Sequence, residues 1–234
     1  MATTTSLARS LGRAALDLLF PPRCAVCGAA GAFLCAGCAS ALVEASPPRC
    51  PRCWRPGPDA GECFDCRLAP PAFDALRAGF VYQGVAREVV HALKYRGMTV
   101  LAAPMASLLT GAAARESFDV VVPVPLSGLR KRTRGYNQAE LLARALAEEL
   151  GVLVEPRALV RKRHTPPQAR SADAEARRRN VAGAFACRDA SLAGRRVLLV
   201  DDVTTTGATL AACAGALKAA GAASVRALAF ARED

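Results

Sequence analysis

Apolar residues follow two kinds of pattern after residue 70. Short runs that are almost wholly apolar predict buried strands, and longer stretches with apolar residues three or four positions apart predict helices. The predicted strands are Ala78–Gln83, Asp119–Val122, Val152–Glu155, Val197–Val200 and Val225–Phe230. The predicted helices are Ala86–Tyr95, Val100–Ala114, Asn137–Leu150 and Thr209–Ala220. This alternation indicates an α/β fold, with a mainly parallel sheet flanked by helices and ligands beyond the carboxyl ends of the strands.

Two segments depart from the alternation. Leucines at helical spacing within residues 1–20 predict a short amphipathic docking helix. Residues 157–179 are rich in arginine, contain Pro166-Pro167 and lack apolar periodicity, which predicts a long mobile loop. No apolar run reaches the roughly 18 residues of a membrane span, and no export signal is evident, so the expected location is the cytoplasm.

Eight of the ten cysteines form four C-x-x-C pairs between positions 24 and 66. The pairs are Cys24/Cys27, Cys35/Cys38, Cys50/Cys53 and Cys63/Cys66. Two such pairs complete the tetrahedral sulfur shell that zinc favours, and iron accepts the same shell. Residues 21–70 are poor in large aliphatic side chains, so the segment is expected to fold around two structural zinc ions rather than on its own core.

The spacing favours sequential pairing, because seven residues separate Cys27 from Cys35 and nine separate Cys53 from Cys63. Interleaved pairing, in which Cys24/Cys27 shares an ion with Cys50/Cys53, is the geometric alternative. A disulfide framework is the other alternative, and the lack of an export signal argues against it. Cys187 and Cys213 stand apart from the pairs and are expected to be buried core residues.

The composition allows a packed globular protein and adds a strongly basic segment. The 234 residues are 52% hydrophobic and 22% charged, with a formal net charge of +11. Residues 130–179 hold 13 basic and 6 acidic side chains, a net +7, and the rest of the chain carries only +4. This concentration predicts a polyanionic partner, either a small-molecule phosphate or a nucleic-acid backbone.

Residues 197–210 carry the strongest sign of ligand chemistry. An apolar run leads into two adjacent acids, which precede a turn of hydroxyls and glycine that opens a helix. Backbone N–H groups at a helix N-terminus, together with hydroxyls, suit a phosphate, and the carboxylates suit ribose hydroxyls and a divalent cation. One Asp would suffice to cap the helix, so the pair favours a ligand site. The predicted ligand-binding residues are Asp201, Asp202, Val203, Thr204, Thr205, Thr206, Gly207, Ala208 and Thr209.

This stretch resembles the phosphoribosyl pyrophosphate (PRPP) motif of type I phosphoribosyltransferases. Other strings resemble the ComF family of competence-associated proteins: Val122-Pro123-Val124-Pro125-Leu126, Arg134-Gly135-Tyr136-Asn137-Gln138, Arg163-His164-Thr165-Pro166-Pro167-Gln168 and Asn180-Val181-Ala182-Gly183-Ala184-Phe185. The resemblance implies a double zinc ribbon over residues 21–70 and a phosphoribosyltransferase-like domain over residues 71–234, after the helix of residues 1–20.

The resemblance also implies roles for particular residues. It implies that Pro125 and Leu126 face pyrophosphate with Arg130 nearby, and that Lys94 and Arg134 act with Asp201 and Asp202 in catalysis. Magnesium is the implied cofactor beside PRPP or a related phosphorylated ribose. It would bridge pyrophosphate and ribose oxygens, while the basic side chains neutralise the leaving group.

Three functional hypotheses follow. The first is a magnesium-dependent pentosyl transferase of unspecified acceptor, linked to DNA uptake and natural transformation. The second is a non-catalytic protein that keeps the sugar-phosphate pocket and binds single-stranded DNA through its basic residues. Those residues are Arg161, Lys162, Arg163, Arg177, Arg178 and Arg179. In the third, the zinc ribbons merely dock a partner protein. A DNA-uptake helicase or another competence protein is the partner expected from the link to DNA uptake.

Overall fold

A computed structural model describes residues 21–57, 61–113, 117–162, 183–188 and 191–234. The helix predicted within residues 1–20 lies outside the described residues. The helices are α1 (Ala36–Ser40), α2 (Phe64–Leu68), α3 (Gly84–Tyr95), α4 (Ala102–Ala113), α5 (Gly128–Arg134), α6 (Gln138–Leu150) and α7 (Ala208–Ala219). The strands are β1 (Ala75–Val81), β2 (Val120–Pro123), β3 (Leu153–Val154), β4 (Leu159–Arg161), β5 (Phe185–Cys187), β6 (Arg196–Thr204) and β7 (Ser224–Arg232).

Five of the strands form the predicted parallel sheet, in the order β1-β7-β6-β2-β3. The three longest strands, β1, β7 and β6, lie side by side, and all three carry buried apolar side chains. Parallel strands must be covered on both faces, which explains their continuous apolar runs. The α/β fold class is confirmed.

Several boundaries differ from the predicted ones. A 3-10 turn, Thr99–Leu101, precedes α4, which begins at Ala102 rather than at Val100. Strand β6 continues to Thr204 instead of ending at Val200, because β7 pairs with it as far as Arg232. The two acids therefore lie within the strand, and only the threonines and glycine after it form the turn.

The segment predicted to be a long loop begins as a strand. Residues Leu159–Arg161 form β4 and pair antiparallel with β5, so the loop prediction is wrong there. The pairing is non-local, since Leu159 faces Cys187, and no periodicity within residues 157–162 could announce a partner so far along the chain. The rest of the predicted loop, residues 163–179, lies outside the described residues.

The cysteine-rich segment wraps around the open edge of β1. Its N–H group at Ala45 donates to the carbonyl of Gly79 (2.9 Å), and Val81 donates to Val43 (2.8 Å). The part of the segment that contains Cys24 and Cys38 packs in one core with α3, α4 and α6. The part that contains Cys50, Cys53 and Cys66 packs in the other core with α7. An exposed strand edge would otherwise invite pairing with another chain, so this contact also protects the sheet.

Candidate functional site

The eight paired cysteines form two separate clusters. Cys24, Cys27, Cys35 and Cys38 make the first cysteine cluster, and Cys50, Cys53, Cys63 and Cys66 make the second, each with its sulfur atoms within 4.8 Å of one another. Sequential pairing is confirmed, and interleaved pairing is ruled out.

The sulfur spacing fits a zinc ion in each cluster. The Sγ atoms of Cys27 and Cys35 are 3.6 Å apart, and those of Cys53 and Cys63 are 3.7 Å apart. Four sulfurs at about 2.3 Å from zinc lie about 3.8 Å from one another in a regular tetrahedron. The two tetrads therefore suit two structural zinc ions, as the sequence predicts.

The thiols in each cluster differ in acidity before any metal binds. Burial works to raise the pKa of Cys24 and Cys50, but hydrogen bonds from backbone N–H groups outweigh it and lower each pKa to about 6. Burial raises the pKa of Cys53 to about 11 and that of Cys38 to about 12. Metal binding at either cluster must therefore displace protons from its more basic thiols.

The acid pair lies at the carboxyl end of β6, the central strand of the sheet. Successive strand residues point to opposite faces, so Asp201 and Asp202 face different sides. Asp202 is 2% exposed, and its Oδ2 lies 2.7 Å from Nζ of Lys94 on α3. Asp201 is half-buried and interacts electrostatically with Cys213 of α7.

Burial and charge alter the acidity of this group. Desolvation raises the pKa of Asp201 well above its usual range, and the neighbouring Asp202 carboxylate raises it further. Desolvation works to lower the pKa of Lys94, but the charge of Asp202 outweighs it, so that pKa is raised. Lys94 is therefore held as a cation beside the acid pair.

The hydroxyl loop, Thr205–Gly207, joins β6 to α7. Gly207 is the N-cap residue of α7 with φ +78°, a left-handed conformation that favours glycine. Its N-cap position carries no side-chain acceptor, although Thr206 Oγ1 accepts a hydrogen bond from the N–H of Ala208 (3.3 Å). The first N–H groups of a helix lack intrahelical acceptors, so this turn presents donors and hydroxyls suited to an anion.

The segment after β2 lies beside the acid pair. Pro123 pairs with Val200 of β6, and the N–H of Val124 donates to the Val200 carbonyl (2.9 Å). Asn137 holds this segment from the other side, since its Nδ2 donates to the Val124 carbonyl (3.0 Å). The half-buried Pro125 and Leu126 thus follow a backbone fixed at the same end of the sheet as the acids.

Lys94 and Arg134 meet in one basic cleft of about 270 Å³. The Arg134 guanidinium lies over the Tyr95 ring (5.2 Å to the centroid) and donates to Gln138, and the Tyr136 hydroxyl donates to the Leu93 carbonyl. The sequence prediction did not include the two tyrosines, although each follows a predicted basic residue closely. Because Lys94 also contacts Asp202, the cleft adjoins the acid pair.

The other predicted basic residues lie elsewhere. Arg130 is exposed on α5. Desolvation lowers the pKa of Arg161 on β4, and the nearby positive charge of Arg130 lowers it further. The Arg161 guanidinium lies over the Phe185 ring (5.3 Å), and Lys162 is exposed. Arg163 and Arg177–Arg179 lie outside the described residues, so the structure brings together only part of the predicted nucleic-acid surface.

Two known domain families match the chain: the double zinc ribbon domain over residues 15–67 and the phosphoribosyl transferase domain over residues 87–233. A DNA utilization protein YhgH of Salmonella typhi is 35% identical over 82% of this chain and 87% of its own. Competence protein F of Haemophilus influenzae is 32% identical over 76% of this chain and 80% of its own.

A solved structure also aligns with the chain. The glutamine PRPP amidotransferase of B. subtilis is 23% identical, with a TM-score of 0.37 over 55% of this chain and 26% of the other. Within the described residues, no helix has the length and apolar content needed to cross a membrane. The two domain matches and the similarity to competence proteins together place the chain in the ComF family, in which a double zinc ribbon precedes a phosphoribosyltransferase domain.

Proposed function

We propose that this protein binds PRPP, with magnesium, at the carboxyl end of β6. The observation that carries the proposal is the junction of three features: the acid pair, the hydroxyl loop that opens α7, and the basic cleft joined to the acids by the Lys94–Asp202 contact. PRPP carries ribose hydroxyls, one phosphate and one pyrophosphate. The acid pair suits the hydroxyls, the hydroxyl loop suits the phosphate, and the basic cleft suits the pyrophosphate.

The donor set near the acid pair suits magnesium as well as sugar. Magnesium prefers carboxylate and phosphate oxygens and keeps part of its water shell. Asp201 is the better candidate for a bound cation, because Asp202 already pairs with Lys94. When bound with PRPP, the ion would supply positive charge to the pyrophosphate.

If an acceptor displaces pyrophosphate, the bond from C1 of the ribose to the pyrophosphate oxygen breaks and a bond from C1 to the acceptor forms. Negative charge then develops on the leaving pyrophosphate. Lys94 and Arg134 are positioned in one cleft to stabilise that charge. Pentosyl transfer is the activity that this arrangement favours.

Calorimetric titration with PRPP tests the binding proposal. We expect the wild type to bind PRPP more tightly with magnesium than without it. We expect Asp201→Asn/Asp202→Asn to lose at least about tenfold in affinity, because charged hydrogen bonds contribute about 1.5–3 kcal/mol each. Asp119→Asn is the matched control, since Asp119 pairs with Arg196 at the opposite end of β6. Equal affinity in the wild type and the double variant would refute the proposal.

A second candidate function is binding of single-stranded DNA in DNA uptake, with a DNA-uptake helicase or another competence protein as partner. It is favoured by the names of the relatives, a DNA utilization protein and a competence protein, and by the net +7 of residues 130–179. Aromatic residues make up only 5% of the chain, so backbone contacts would dominate.

Fluorescence anisotropy with a labelled single-stranded oligonucleotide tests this second function. Each phosphate that a protein contacts on a single strand contributes about −0.7 to the slope of log K against log salt concentration. Replacing Arg161 and Lys162 with Gln is therefore expected to weaken binding and to reduce the slope by about 1–1.5. The control replaces Arg144 with Gln, because Arg144 pairs with Glu140 on α6. An unchanged slope would place DNA binding on another surface.

A further inference from the structure

Arg232, the last residue of β7, connects the second cysteine cluster to the strand that leads into the hydroxyl loop. Its side chain is buried, with the residue 2% exposed, and its Nη1 donates to the carbonyl of Cys53 (2.9 Å). A buried guanidinium is strongly destabilising unless acceptors satisfy it. The orientation of the Cys53 carbonyl is therefore tied to the position of Arg232.

A second arginine fixes the same turn of the ribbon. Arg49 binds the Asp234 carboxylate through both of its terminal nitrogens (2.8 and 2.6 Å) and also donates to the carbonyl of Trp54 (3.1 Å). Asp234 in turn lies 3.5 Å from Nε of Arg232. The carbonyls of two consecutive residues, one of them a cluster cysteine, thus receive hydrogen bonds from guanidinium groups.

The backbone of Arg232 is held on the other side by the sheet. It pairs with Thr204, the residue immediately before the hydroxyl loop, and the N–H of Glu233 donates to the Thr204 carbonyl (2.9 Å). The N–H of Tyr82 donates to the carbonyl of Arg232 itself. A shift of Arg232 would therefore move the residue from which the loop starts.

Phe73 provides a parallel contact. It packs in the same core as Cys50, Cys53 and Cys66, and its ring lies 3.6 Å from the point where a Cβ on Gly207 would stand. A cavity of about 310 Å³ otherwise separates the second cluster from the start of α7. The cluster and the loop therefore face each other across open space and meet through Arg232 and Phe73.

We propose that Arg232 is a positioning residue through which metal binding at the second cysteine cluster sets the hydroxyl loop, so that zinc occupancy there and PRPP affinity increase each other. The inference rests on the proposed function. A metal ion that closes the four sulfurs fixes the turn of Cys53, and the Cys53–Arg232–Thr204 contacts carry that order to the loop. Coupling between two sites is reciprocal, so PRPP must also raise the zinc affinity of the second cluster by the same factor.

Equilibrium competition for zinc with a colorimetric chelator, with excess magnesium present, tests the coupling. In the wild type, saturating PRPP is expected to raise the zinc affinity of the second cluster at least about fivefold, the lower end of typical coupling. Cys63→Ser, which retains only the first ion, identifies the two binding steps. In Arg232→Gln, PRPP is expected to leave the zinc affinity unchanged, and PRPP affinity is expected to fall about five- to tenfold.

Two controls separate positioning from general destabilisation. Arg52→Gln removes the ribbon ion pair with Glu62 but leaves the Arg232–Cys53 hydrogen bond, so its PRPP affinity is expected to match the wild type. PRPP is expected not to raise the zinc affinity of Asp201→Asn/Asp202→Asn.

The outcomes distinguish the two proposals. A wild type that fails to bind PRPP in calorimetry overturns the proposed function, and this inference with it. A wild type that binds PRPP without a higher zinc affinity overturns the coupling alone, and so does Arg232→Gln with unchanged PRPP affinity. Should Arg232→Gln fail to fold, the wild-type zinc affinities with and without PRPP still decide.

Discussion

Replacing Cys66 with Ser is expected to reduce the zinc content from two ions to one per chain and to lower Tm by about 10 °C or more. Structural zinc contributes apparent binding free energies of about 10–16 kcal/mol, and loss of one thiolate ligand removes a large part of this binding free energy. Each kcal/mol corresponds to about 2–4 °C in a chain of this size. The effect should exceed that of most single substitutions, which cost about 0.5–3 kcal/mol.

The loss is not expected to stay within the ribbon. Cys50, Cys53 and Cys66 lie in the same core as Phe73 and Leu76, which pack beside α7 and the sheet. Loosening the second cluster also frees the N–H of Leu76, which donates to the carbonyl of Arg52 (2.7 Å). The ribbon and the β1 edge are therefore expected to unfold together.

Zinc analysis and thermal unfolding by circular dichroism measure this effect. Cys187→Ser is the matched control, because Cys187 lies on β5 outside both clusters. The control is expected to keep two zinc ions and to change Tm by no more than about 2–4 °C. Two zinc ions retained in Cys66→Ser would show that the second site does not depend on this thiolate.

The metal clusters could be predicted from the sequence because each depends on short-range spacing. A C-x-x-C pair places two sulfurs on one turn, and the similar intervals after Cys27 and Cys53 favour sequential pairing. The parallel sheet could be predicted for a similar reason, since each strand is announced by its own apolar run. The end of β6 could not, because Asp201, Asp202 and Thr204 are polar and the strand geometry of this stretch comes from pairing with β7.

Contacts between segments that are distant in the sequence could not be predicted from local patterns. Nothing near Arg49 or Arg232 indicates that one will bind Asp234 and the other the carbonyl of Cys53. The resemblance to a family implied that Lys94 acts in catalysis, and the structure adds its ion pair with Asp202, which lies far from Lys94 in the sequence. Ion pairs between buried groups depend on tertiary packing, which single-segment periodicity does not contain.

Lys94→Met is expected to destabilise the protein by about 3 kcal/mol at neutral pH. The side chain of Asp202 is only 3% exposed, and that of Lys94 is 18% exposed, so Met would fill the space but leave a buried carboxylate without its cation. Breaking a buried pair in this way costs about 3–5 kcal/mol, and the partial exposure of Lys94 favours the lower value. Urea unfolding followed by tryptophan fluorescence measures the change.

The stabilisation by the Lys94–Asp202 ion pair depends on pH. In the wild type the pKa of Lys94 is raised, so the stabilisation by the ion pair is fully present below the ordinary lysine pKa of about 10.4 and is lost as the pH rises through the raised value. The destabilisation of Lys94→Met relative to the wild type is expected to shrink as the pH rises through the raised pKa of Lys94, because the wild type then loses the same cation.

Two further variants identify the cause as an unpaired charge rather than lost packing. Lys94→Met/Asp202→Asn is expected to recover most of the lost stability, since neither partner then carries a charge into the interior. Arg144→Gln, which breaks the exposed pair with Glu140 on α6, is expected to cost only about 0.3–0.5 kcal/mol. If Lys94→Met were as stable as the wild type at neutral pH, Asp202 would have to find another cation or meet water, and the basic cleft would lose its link to the acid pair.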